Sequence, residues 1–175
     1  TEIVTTNSGE GGVDVIMLGA GTNAVIAGAK GDQVTSSGGT NTVLGDEGRA
    51  TFTFDSQRRL SLIETQNSGI GGADTINLIG DNTVIAGVSG DMVTVDGGDV
   101  VIGDEGRAQF TAGTLVSIAS LNADIAGDDN IDAGNGNDVI FGGSGADIID
   151  AGTDNARDIV VGDNGSAMFD AANGL

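Results

Sequence analysis

Acidic and amide side chains return at a near-constant interval along this sequence, each two residues ahead of an apolar one. Asp14, Asn23, Asp32 and Asn41 are spaced nine apart and precede Ile16, Val25, Val34 and Val43. The alternation continues as Asp74, Asn82, Asp91 and Asp99 before Ile76, Val84, Val93 and Val101, and as Asp129, Asp138, Asp147 and Asp158 before Ile131, Ile140, Ile149 and Val160. If each unit is one short strand and one turn, two units close a coil and every second unit stacks on one edge. Asp14 then lies over Asp32, Asp74 over Asp91 and Asp129 over Asp147. On the other edge Asn23 lies over Asn41, Asn82 over Asp99 and Asp138 over Asp158. Stacked carboxylates repel, and a hard divalent cation with oxygen ligands, completed by backbone carbonyls, relieves that repulsion. Cation sites are predicted along the whole first edge. On the second edge they are predicted strongest at Asp138–Asp158 and weakest at Asn23–Asn41, because amides bring no charge.

A fifth unit closes each set: VLGDEGRATF (43–52), VIGDEGRAQF (101–110) and VVGDNGSAMF (160–169). Ala50, Ala108 and Ala167 stand where the acid belongs, and a new Asp appears earlier, at Asp46, Asp104 and Asp163. These three are read as ligands that approach a cation from the other end of the loop. The competing reading is an Asx-type turn cap.

The elements that position these residues follow from the same spacing. The apolar residue of each unit points inward and its neighbours point outward, since strand side chains alternate. Glycines between strands allow positive φ and close backbone approach. The residue after the inward one is apolar in every second unit: Ile26, Leu44, Ile85, Ile102, Phe141 and Val161. One sheet therefore carries an apolar stripe on its outer face, which marks an interface. The connections ATFTFDSQRRLSLIET and AQFTAGTLVSIASL read as strand, turn, strand. Leu60, Leu62, Ile63, Leu115, Val116 and Ile118 are candidates to cover the stripe within the molecule, and lateral packing against neighbouring copies is the alternative. Five-turn segments are predicted at 9–53, 69–111 and 126–170, with hairpin-like connections at 54–68 and 112–125. Residues 1–8 read as the end of a preceding connection and 171–175 as the start of the next.

The cleanest units, GGSGADIID (142–150) and AGNGNDVIF (133–141), match the pattern GGxGxDxUx, where U is apolar. On these residues and the in-phase turns around them, the chain resembles the repeats-in-toxin (RTX) family. The resemblance implies an all-β, right-handed parallel β-roll with Ca2+ as its cofactor. It also implies export through a type I channel in unfolded form, folding outside the cell, and a secreted or cell-surface location.

Composition removes other classes. No His or Cys is present, which excludes ordinary zinc, haem and iron–sulfur sites and both His-based nucleophilic arrangements. A formal net charge of −20 argues against nucleic acid as a partner. No apolar run approaches a membrane span. The stretch VDVIMLGAGTNAVIAG (13–28) imitates a dinucleotide fingerprint, but no helical periodicity follows it. Near-identical acid pairs repeated along a rod suit structural cation sites, not a catalytic pair in unlike environments. The expectation is a non-enzymatic repeat that folds and stiffens on calcium, acting as a spacer or stalk in a large exported adhesin or surface-layer protein. The alternatives are a carbohydrate-binding module of a secreted enzyme, with Phe54 and Phe141 as candidate aromatics, and an ice-binding face, for which Thr35, Thr53, Thr94 and Thr111 form only a broken row.

Overall fold

The computed structural model describes residues 1–125 and 127–170. Every regular element among them is a strand, and the strands form three six-stranded sheets. The first sheet holds β2 (Val15–Leu18), β4 (Gln33–Ser36), β8 (Thr75–Asn77), β10 (Met92–Thr94), β14 (Asn130–Asp132) and β16 (Ile148–Asp150). The second holds β3 (Gly21–Ile26), β5 (Gly39–Leu44), β9 (Asp81–Ile85), β11 (Val100–Ile102), β15 (Val139–Phe141) and β17 (Ile159–Val161). Both are parallel, and the chain alternates between them, so each coil contributes one strand to each.

The roll is continuous across the sequence modules. Val34 of β4 pairs with Ile76 of β8, and Val43 of β5 pairs with Val84 of β9, although about 42 residues separate each pair. The inward apolar residues meet between the two sheets. Val34, Val43, Val84, Val93, Val101, Ile131 and Ile140 are all fully buried there. Gly39, Gly80, Gly97 and Gly136 have positive φ, and a Cβ on any of them would strike the backbone of the coil before it. Only glycine lets the loops stack this closely.

The fifth unit of each module departs from expectation. It does not add a turn to the roll. The chain leaves the roll at the GDxG segment and enters a third, antiparallel sheet, in the order β1 (Glu2–Val4), β6 (Gly48–Phe52), β7 (Leu60–Thr65), β12 (Gly106–Thr111), β13 (Thr114–Ser120) and β18 (Ser166–Met168). Each module thus contributes four turns to the roll, and the connections after the first two return as hairpin strands. Ala50 and Ala108 are fully buried against this layer, which explains why the acid is missing there.

The third sheet covers the apolar stripe. Leu44, Ile85, Ile102 and Phe141 have no exposed surface, and Ile26 and Val161 pack at the margin of the same cluster. Intramolecular cover is therefore what the structure adopts, and the stripe is not free to meet neighbouring copies. Leu60, Ile63, Leu115 and Ile118 join this second core, whereas Leu62 and Val116 fall outside it. Irregular register at Thr51/Phe52 and Gln109/Phe110 shifts the strand phase, so residues of opposite parity face inward. Phe141 lies in this core and offers no stacking face, while Phe54 is 96 % exposed on a hairpin loop.

Candidate metal centres

The two edges of the roll are two unbroken columns, not separate pairs. On the first edge each aspartate carboxylate accepts a hydrogen bond from the backbone N–H of the aspartate one coil earlier. Asp14 N–H donates to Asp32 Oδ1 at 2.7 Å, Asp32 to Asp74 at 2.6 Å, Asp74 to Asp91 at 2.7 Å, Asp91 to Asp129 at 2.8 Å and Asp129 to Asp147 at 3.0 Å. The loop-to-strand turn sets this geometry, because the Asp is the last residue before each strand and its N–H points along the rod.

One oxygen of each carboxylate is used in this ladder. The other is not. Oδ2 of Asp32, Asp74, Asp91, Asp129 and Asp147 is buried and has no hydrogen-bond partner. A buried, unpartnered carboxylate oxygen is costly unless a cation or proton meets it. Among the described residues, no three acidic side chains are grouped to hold a metal by themselves. Backbone carbonyls must complete any site, and the glycines place them. A Cβ added at Gly45 would strike both Asp74 Oδ2 and the Ala86 carbonyl oxygen. At Gly103 it would strike Asp129 Oδ2 and the Gly142 carbonyl, and at Gly142 it would strike Asp147 Oδ2 and the Gly162 carbonyl. The same cradle of one carboxylate oxygen and one carbonyl oxygen recurs along the edge. Its all-oxygen character suits calcium.

Asp46 and Asp104 come to this edge from the side. Asp46, 2 % exposed, accepts from Gly72 N–H at 2.9 Å and Val88 N–H at 2.5 Å, both in the following module. These partners lie far along the chain, so it caps no turn of its own loop. Asp104 accepts from Ser144 N–H in the same manner and keeps Oδ1 buried and unpartnered. Asp163 holds the third such place but is exposed. Asp14 and Asp158, at the ends of the columns, are also exposed.

The second edge is divided. The spacing predicts Asn23, Asn41 and Asn82 as ligands, but the structure gives their amides another use. Asn23 Nδ2 donates to Asn41 Oδ1 at 2.8 Å, Asn41 Nδ2 to Asn82 Oδ1 at 2.7 Å, and Asn82 Nδ2 to Asp99 Oδ1 at 2.8 Å. Amides carry donor and acceptor together and satisfy one another without a cation. From Asp99 onward the carboxylate pattern resumes. Asp99 N–H donates to Asp138 and Asp138 N–H to Asp158, and Asp99 and Asp138 each keep Oδ2 buried and unpartnered.

Burial strongly disfavours ionisation along both columns. Loss of solvation is the largest cause, and neighbouring carboxylates add to it. Asp91 is pushed up to about 10, Asp46 to about 8, and Asp74, Asp99 and Asp129 to about 7. Asp104 and Asp138 rise to about 6, and Asp32 is raised as well. Backbone N–H donors pull each of them partly back.

Two functional residues escape a reading of the repeat. Glu47 and Glu105, beside Asp46 and Asp104, are fully buried. Glu47 accepts from Gly9 N–H at 2.5 Å and Asn67 Nδ2 at 2.6 Å. Glu105 accepts from Gly69 N–H at 2.8 Å, Ser68 Oγ at 3.0 Å and Asn122 Nδ2 at 2.5 Å. Each glutamate ties together the connection before its module and the one after. The recurring NSG (7–9 and 67–69) and GDEG strings were the available signal.

A cleft of about 570 Å3 opens between the hairpin tips and the second edge, lined in part by Thr22, Thr40, Phe52, Arg58, Asp81 and Phe110. In comparisons with known proteins, a family model described as the RTX calcium-binding nonapeptide repeat (4 copies) matches residues 19–52 and 125–157. The unmatched middle module has some spacings of eight, as between Asp74 and Asn82, yet it carries the same ladders. No curated protein and no solved structure gives a significant match.

Proposed function

We propose, from the match to RTX calcium-binding nonapeptide repeats, which bind multiple Ca2+ ions, that this chain is a calcium-dependent structural module of an exported protein. The single observation that carries this reading is the row of buried carboxylate oxygens without partners. Bound calcium supplies the positive charge those oxygens need. We assign Asp14, Asp32, Asp74, Asp91, Asp129 and Asp147, with Asp46 and Asp104, to the first edge, and Asp99, Asp138 and Asp158 to the second. Asn23, Asn41 and Asn82 satisfy one another in the amide ladder and are left out of the ligand set. Asp163, exposed at the third such place, stays a candidate ligand of the first edge.

At −20 the metal-free chain repels itself and stays extended. Calcium at the external millimolar level binds only the stacked form and so stabilises it. Cores on both faces of the second sheet then stiffen the rod, which supports a spacer or stalk role in an adhesin or surface-layer protein. The repeated carboxylates along a rod suit structural cation sites, and the reading is non-enzymatic.

Far-UV circular dichroism tests the proposal. Starting in chelator at pH 7.5, about millimolar calcium is expected to produce a cooperative coil-to-β transition that the same magnesium concentration does not. Full β structure in chelator at that pH would overturn the calcium-dependent reading.

The cleft favours a second reading, a carbohydrate-binding module. Phe52 and Phe110 line it beside hydroxyl and charged groups. Titration with neutral and uronate oligosaccharides, repeated on Phe110→Ala, decides it: no heat of binding to the wild type removes this reading.

A further inference from the structure

We infer that each junction between modules holds a cation of its own kind, shared by carboxylates of two modules, and that these two cations are the last to leave the rod. One lies between Asp46 and Asp74, the other between Asp104 and Asp129. The inference rests on the calcium reading above and adds to it an order among the sites.

Asp46 and Asp104 stand outside the acid position of the nonapeptide, each one residue past a cradle glycine. The two junctions match group by group. A Cβ on Gly45 would strike Asp74 Oδ2 and the Ala86 carbonyl oxygen, and a Cβ on Gly87 would strike Asp46 Oδ2. A Cβ on Gly103 would strike Asp129 Oδ2 and the Gly142 carbonyl oxygen, and a Cβ on Gly143 would strike Asp104 Oδ2. The stretches Ala86–Gly87 and Gly142–Gly143 thus bring the acid of the preceding module to the cradle of their own. Gly71 closes on Asp46 as well, since a Cβ there would strike both of its carboxylate oxygens. Charge reports the same proximity. Burial is the main cause that raises Asp46 and Asp129. Among the carboxylates that add to it, Asp74 acts most strongly on Asp46, and Asp104 on Asp129.

Three features make these the strong sites. Each adds a carboxylate from the side to the cradle, and calcium affinity rises with the charge of the ligand set. On the second edge, by contrast, the neighbour of Asp99 is the Asn82 amide, which brings no charge. Each junction also keeps buried oxygens without a hydrogen-bond partner: Asp74 Oδ2 at the first, Asp129 Oδ2 and Asp104 Oδ1 at the second. Only a cation or a proton meets such atoms. Finally, the side-on acids are held rigidly. Asp46 and Asp104 are buried, and the next residues, Glu47 and Glu105, are tied to Asn67 and Asn122. Rigidity of the ligand loop raises affinity further. A cation shared in this way joins one module to the next through both of its carboxylates.

Calcium release from the folded, saturated protein tests the order separately from the folding step. On rapid mixing with an excess of a fluorescent chelator, two ions per chain are expected to leave about tenfold more slowly than the rest. Asp46→Asn and Asp104→Asn keep a side-chain oxygen to accept the N–H of Val88 or Ser144 but remove the charge. Each is expected to take one ion out of the slow phase, and the double variant is expected to abolish that phase. Asp138→Asn, on the second edge, is expected to reduce the fast phase and leave the slow pair intact. Circular dichroism in saturating calcium establishes which variants are folded. The wild-type curve decides even if none is: release in a single phase overturns the junction inference. Two slow ions that persist in folded Asp46→Asn or Asp104→Asn, or a slow pair lost in folded Asp138→Asn, overturn it too. A wild type that neither binds calcium nor gains structure from it overturns the calcium reading beneath.

Discussion

The buried column aspartates, from Asp32 to Asp147 on the first edge and Asp99 and Asp138 on the second, use their two carboxylate oxygens unequally. One oxygen holds the N–H of the preceding coil, and the other has no hydrogen-bond partner. Without a cation, a proton is the only neutraliser, and that sets the direction of the pH dependence. Asp46, Asp74, Asp91, Asp99, Asp129, Asp104 and Asp138 have folded values from about 6 to about 10, above an unfolded value near 3.9. The folded form therefore holds more protons between those limits. Its stability from these groups is complete below about pH 4 and is lost as pH rises through 6 to 10. In chelator the melting temperature is expected to fall from pH 5 upward until no folded form remains to melt near pH 7.5. In excess calcium it is expected to rise over the same interval, because metal and proton compete for the same oxygens. Thermal melts at both conditions check this, and parallel slopes would contradict it. Asn82→Asp tests the division of the second edge. It breaks the amide ladder and extends the carboxylate column by one position. Calorimetry should count more calcium ions than in the wild type, and the chelator form should be less stable.

At the scale of elements, the fifth turn shows how one residue type redirects the chain. Ala50 and Ala108 are fully buried between sheets. Ala108→Asp restores the nonapeptide pattern at a position where no cation can follow. It is expected to destabilise the protein by several kcal/mol, since it buries a charge without a partner. A calcium-saturated variant as stable as wild type in urea would show that the fifth turn can rejoin the roll. The glutamate ties belong to the same scale. Glu105→Ala leaves the Gly69 N–H, the Ser68 hydroxyl and the Asn122 amide without their acceptor. A loss of about 1–3 kcal/mol is expected. It should be read from urea midpoints in saturating calcium, with the hairpin layer exchanging its amide hydrogens first.

For the whole molecule, continuity is the governing fact. The same two ladders run through all three modules, so neighbouring coils stabilise one another as in other linear repeats. The calcium-bound chain is expected to melt in one transition. Asp74→Ala removes the acceptor of Asp32 N–H and one cradle oxygen at the first junction. It should separate the first module as an earlier calorimetric step while the rest melts near the wild-type temperature. A single, uniformly lowered transition would place the coupling in the hairpin layer instead.

The family resemblance carried by the cleanest units implied the all-β roll, and periodicity set the inward row from Ile16 to Val160, the two acid-bearing edges and the outer apolar stripe. These are local consequences of strand alternation and of glycine-rich turns, and they survive spacings of eight or eleven because each turn absorbs its own irregularity. Only the tertiary structure decided three things. The fifth turn leaves the roll, because Ala50 and Ala108 gain a dry surface that appears only when the hairpins fold back. Register irregularity beside Phe52 and Phe110 selects Leu60, Ile63, Leu115 and Ile118 for that surface, and strand phase across a bulge cannot be counted from sequence. The modules merge into one rod because the partner of Asp32 is Asp74, 42 residues away, and stacking energy depends on which coils meet in space, not on where the repeat is written in the chain.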